Sequence, residues 1–102
     1  MEWHQSITCI FSGAVLANVV PHFVAGIQGN RFPTPFAKPR GIGLSSPTVN
    51  MAWALFNLLI GALLFKAGRL ADGELVNLIA FFAGIAVLSL LMSKRFAKKH
   101  QE

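Results

Sequence analysis

The chain has 102 residues and a formal net charge of +5, with 54% hydrophobic but only 13% charged side chains, about half the roughly 25% that soluble domains carry. A soluble chain this short would have to cover a large exposed area with polar groups, so the composition argues against a water-soluble domain. The distribution is sharper still: no Asp, Glu, Lys or Arg occurs in 3–30, 41–65 or 75–93, and each stretch supplies the about 20 apolar residues that cross a hydrocarbon core of about 30 Å as a helix.

The sequence therefore predicts an all-α polytopic membrane protein, a single three-helix transmembrane domain over 1–102 with spans at about 6–29, 48–67 and 75–93. A soluble three-helix bundle would show a polar face on each helix, and these stretches do not. In the first span, Glu2 is the only charge ahead of the apolar run, so the helix is expected to be retained rather than cleaved as a signal peptide. Cys9 is the sole cysteine, which leaves only an intermolecular disulfide open to it. Gly13 and Ala17 have the spacing that lets helix backbones approach closely. Asn18 and His22 share one face, and Pro21 beside them frees the Ala17 carbonyl, which predicts a bend.

Residues 30–47 carry most of the prolines together with Arg31, Phe32, Phe36, Lys38 and Arg40. Residues before proline are pushed towards extended backbone, so a stiff non-helical strap is expected. Phe32 and Phe36 would anchor it at the headgroup level while Arg31, Lys38 and Arg40 meet lipid phosphates. Gly41-Ile42-Gly43 permits a tight turn. Without a strand-turn-helix context it is no sign of a nucleotide site.

Ser46-Pro47 reads as an N-cap followed by proline at the first helical position. In the second span Asn50 and Asn57 lie on one face with Trp53 between them. Counting from the loop ends puts His22 level with Trp53 and Asn57, so Asn18, His22, Asn50, Trp53 and Asn57 are expected to form one intramembrane polar cluster. Gly61 adds a flat spot. Gly68 fits a left-handed helix end, and the short connector predicts that the second and third helices pair as an antiparallel hairpin, with Asp72 and Glu74 starting the third. Ala80 and Gly84 repeat the small-residue spacing of the first span, while Asn77 belongs to a layer near the opposite end. Residues 94–102 form a basic tail.

Lys and Arg counts in short loops set orientation. Arg31, Lys38, Arg40, Lys94, Arg95, Lys98 and Lys99 share one side, against Lys66 and Arg69 on the other. The N-terminus is expected outside and the loop and tail in the cytoplasm, in a bacterial-type cytoplasmic (inner) membrane. The tail's charge suits anionic lipid and gives no reason to invoke nucleic acid.

The chemistry that remains is thin. No Asp or Glu falls inside a span, no second His or Cys accompanies His22 in a metal-like pattern, and no serine stands in a recognisable nucleophilic arrangement. No catalytic residue, metal or resident cofactor is expected. His22 is the one candidate cofactor-binding residue, able to ligate haem iron or hydrogen-bond a quinone carbonyl, against the packing role that Asn and His commonly play between membrane helices. The small-residue faces at Gly13, Ala17, Gly61, Ala80 and Gly84 are more than three helices are expected to use among themselves. The sequence thus points to a non-enzymatic accessory or assembly subunit contacting other membrane helices. The alternatives are a homo-oligomeric transporter or channel lined by Asn18, His22 and Asn57, or a haem- or quinone-binding redox subunit.

Overall fold

The three charge-free stretches fold as helices because no residue inside them competes with the backbone strongly enough to stop a helix, and a helix satisfies every backbone group in lipid. A computed structural model describes residues 3–40 and 42–100, with side chains as far as residue 97. Glu2, Gly41 and Glu102 lie outside the described residues, as do the side chains of Lys98, Lys99 and His100. The elements are α1 (Trp3–Ile27), α2 (Pro47–Ala67), a 3₁₀ turn (Leu70–Asp72) and α3 (Leu75–His100). Each α-helix is long and apolar enough to cross a membrane, over Trp3–Gln28, Pro47–Ala67 and Leu75–Ala97.

Pro21 is accommodated inside α1, which remains one helix. The basic segment beyond residue 93 is helical as well: Lys, Arg and Ala are good helix formers, and their charge suits a helix C-terminus. At the start of α2, Ser46 Oγ accepts the Val49 amide at 3.1 Å and Pro47 follows, as the local pattern indicates. The other end differs from expectation. Gly68 is right-handed (φ −80), and the left-handed positions fall on Arg69 (φ 57) and Gly73 (φ 75). Gly68 is needed for space, since a Cβ there would lie 2.7 Å from Cys9 Sγ. Asp72, expected to cap α3, instead sits in the 3₁₀ turn and pairs with Arg69 at 2.9 Å.

The lateral order also departs from the expected hairpin. Both α2 and α3 pack on α1, which lies between them, and the two outer helices meet through a Phe65–Phe81 ring contact. Small residues at both interfaces of α1 explain this. A methyl on Gly13 would overlap the Phe81 carbonyl of α3, and one on Gly84 would overlap the Ile10 carbonyl of α1, so the two glycines let these backbones nearly touch. On the other face Gly61 of α2 receives the Leu16 side chain of α1. Ala17 and Ala80 are buried too. All five small residues therefore serve the three-helix unit itself, and the surplus of flat faces anticipated from the sequence is not there.

What is inside and what is outside are reversed from a soluble protein. The largest fully buried side chains are Asn50, Asn77, Thr34, Cys9 and Ser12, whereas Phe11, Leu59, Phe82, Leu90 and Leu91 are exposed. Only 28, 22 and 11% of the apolar windows of α1, α2 and α3 is buried within the chain. Large apolar groups on the outside and polar groups within suit a solvent of lipid, and this is a small all-α membrane protein.

Candidate functional site

Polar side chains of α1 run down its packed faces and each meets a partner across a helix interface. Ser6 Oγ donates to Asn77 Oδ1 of α3 at 3.4 Å, the Cys9 thiol to the Gly68 carbonyl at 3.4 Å, and Ser12 Oγ to the Gly61 carbonyl at 3.0 Å. Nearer the loop, Asn18 Nδ2 donates to Asn57 Oδ1 at 3.3 Å, Asn57 Nδ2 to the Trp53 carbonyl at 2.8 Å, and His22 Nδ1 bonds Asn50 Oδ1 at 2.8 Å. Among the described residues no buried side-chain nitrogen or oxygen lacks a partner. Cys9 is wholly buried, which closes off the intermolecular disulfide that composition left open.

The five residues expected as one cluster are thus divided into two rungs, Asn18 with Asn57 and Trp53, and His22 with Asn50. Counting along the helices had set His22 beside Asn57; its partner lies seven residues, about two turns, closer to the loop. The loop between α1 and α2, expected as a stiff non-helical strap, is closed at its neck. Phe32 and Ser45 pair as an antiparallel bridge, with N–H···O distances of 3.2 and 2.9 Å, and the Thr34 and Ser45 hydroxyls bond one another. Thr34 Oγ1 also accepts the Phe36 amide at 3.1 Å. The segment between is a closed loop seated on the helix ends.

Asn50 ties that loop down. Its Nδ2 lies 3.0, 3.2 and 3.1 Å from the carbonyl oxygens of Phe32, Ser45 and Ser46. Only an amino group can face three carbonyls, so the amide orientation is set, and Oδ1 must be the atom that meets His22. In a neutral ring Nδ1 then carries the proton and Nε2 the lone pair. Sequence reading placed Asn50 in the cluster but missed this role; the Ser45-Ser46-Pro47 turn immediately before it was the one local signal.

Phe32, expected as a headgroup anchor, is turned inwards, with ring centroids 5.4 Å from His22 and 4.7 Å from Phe96 of α3. Its own backbone bridge to Ser45 holds it there. The Phe96 contact also brings the loop and the basic end of α3 to the same end of the molecule. Phe36 stays 64% exposed, edge-on to Trp53. Arg31, Lys38 and Arg40 are exposed.

Because α2 and α3 flank α1, a cleft remains between them under the loop, with a volume of about 220 Å³. Asn18 and His22 of α1 contribute to its lining, Pro33, Thr34 and Pro35 come from the loop, and Trp53 belongs to α2. Leu88, Met92, Arg95 and Phe96 come from α3. His22 lines this space, and its Nε2 has no hydrogen-bond partner among the described residues. No protein-family model, curated protein or solved structure matches the chain, and function has to be argued from this geometry.

Proposed function

We propose that the protein is a non-enzymatic accessory subunit of a membrane complex, oriented with its N-terminus outside and its loop and basic α3 end on the cytoplasmic side of a bacterial-type inner membrane. The observation that carries this reading is the form of the loop. It is held in one shape by the Phe32–Ser45 bridge and by Asn50, while Phe36, Ile42 and Leu44 remain 64, 54 and 54% exposed beside exposed Arg31, Lys38 and Arg40. A surface fixed before binding loses little entropy on docking, and its mix of an aromatic, aliphatics and arginine is the chemistry of interface hot spots. The basic side chains also favour anionic lipid headgroups around the partner.

Extraction in mild detergent followed by native mass measurement tests the proposal. A complex with at least one other polypeptide is expected, lost when Phe36→Ala and Arg40→Glu are combined. A species containing only copies of this chain would overturn it in favour of a homo-oligomer. The seam residues give that alternative little support, since Asn18 and Asn57 face each other within one chain rather than a path between protomers.

A further inference from the structure

The cleft under the loop combines two features that bear on what it could hold: an acceptor lone pair on His22 Nε2 and an aromatic and aliphatic wall. Asn50 is what makes the first of these specific. Its amino group is committed to three carbonyls, so its oxygen demands the His22 Nδ1 proton and leaves Nε2 as an acceptor. A group meeting Nε2 must therefore donate a hydrogen bond or be a cation. Among the described residues the lining holds no carboxylate or thiolate to accompany His22, so a metal ion or an ammonium would be left without the further ligands or countercharge that an apolar site demands. What remains is a neutral hydroxyl.

Size and walls narrow the ligand further. Drug-sized ligands occupy pockets of about 300–1,000 Å³, and a cleft of about 220 Å³ takes a single six-membered ring with small substituents, not a haem macrocycle. Trp53, Met92 and Phe96 offer flat and polarizable faces to such a ring. We propose that this cleft binds a membrane-dissolved monocyclic phenol or hydroquinone whose hydroxyl donates to His22 Nε2. A quinone carbonyl is the wrong partner, because it needs a donor where His22 presents an acceptor. The proposal rests on the cleft and not on the docking role of the loop.

The test uses the full chain in nanodiscs with Trp3→Phe, which leaves Trp53 as the reporter. Titration with tert-butylhydroquinone is expected to give a saturable change in Trp53 emission and to shift the ¹⁵N resonance of His22 Nε2. The 1,4-dimethyl ether of the same ring, which has no hydroxyl, and the corresponding benzoquinone should bind at least roughly tenfold more weakly. Leu88→Phe adds bulk to the cleft from α3 while Trp53 stays the sole tryptophan, and is expected to abolish the saturable response to hydroquinone while the protein stays folded by circular dichroism. Equal responses to hydroquinone and ether, or only linear partition into the bilayer, would overturn the proposal. So would a ¹⁵N spectrum showing the ligand-free protein protonated at Nε2, or saturation by a brominated fatty acid with none by hydroquinone, which would assign the cleft to a lipid chain.

Discussion

Replacing Asn50 should reveal how far one side chain joins the loop to the helices. In Asn50→Ala the three carbonyls it serves each keep a backbone partner: Phe32 O accepts from Ser45 N–H, Ser45 O from Phe32 N–H, and Ser46 O from the residue 50 amide. The group left stranded is His22 Nδ1–H, in a residue only 4% exposed. An unpaired buried donor costs about 1–3 kcal/mol, and hydrogen bonds between membrane helices average about 0.6 kcal/mol, so a loss of about 2–3 kcal/mol is expected. Asn50→Asp is close to isosteric but sets a carboxylate against three carbonyl oxygens. A buried carboxylate that faces only acceptors should be worse than alanine despite its better fit. Unfolding in mixed micelles, followed by tryptophan fluorescence, gives both values. Hydrogen exchange at the Phe32 and Ser45 amides should accelerate in both variants, because the loop neck loses its tether. If alanine were within about 0.5 kcal/mol of wild type, with these amides still protected, Asn50 would not be the tether.

Two further outcomes follow from other parts of the fold. Gly84→Ala should lower stability by about 1–3 kcal/mol through overpacking, since its methyl would overlap the Ile10 carbonyl; Gly73→Ala, strained only by its φ of +75 with nothing within 4 Å, should cost about 1–2 kcal/mol, and thermal melts showing Gly73 the more sensitive would contradict the tight α1–α3 crossing. A reporter fused after Glu102 should behave as cytoplasmic and a tag placed before Trp3 as external, and a C-terminal reporter active on the outer side would reverse the proposed orientation.

The features legible in the sequence are those that depend on neighbours along the chain. A run of about 20 uncharged apolar residues meets lipid whatever lies beside it, so the three spans and the membrane class could be read directly. The same holds for Ser46-Pro47, where hydroxyl, amide and proline lie within one turn. Residue types in the site were also legible, since Asn and His inside a span must find partners. Which partners they find was not. His22 meets Asn50 rather than Asn57 because the packing of α1 on α2, with Leu16 against Gly61 and Ser12 bonded to the Gly61 carbonyl, sets their stagger, and no local propensity specifies those contacts. Gly68 was misread for a similar reason: glycine at a helix end suggests a left-handed cap, but this one is there to admit Cys9 from another helix. The placing of α1 between α2 and α3, which creates the cleft and uses up Gly13, Ala17, Gly61, Ala80 and Gly84, arises from contacts between segments far apart in sequence. Hydropathy and spacing report which face of a helix is small or polar; only the assembled helices decide which neighbour that face meets.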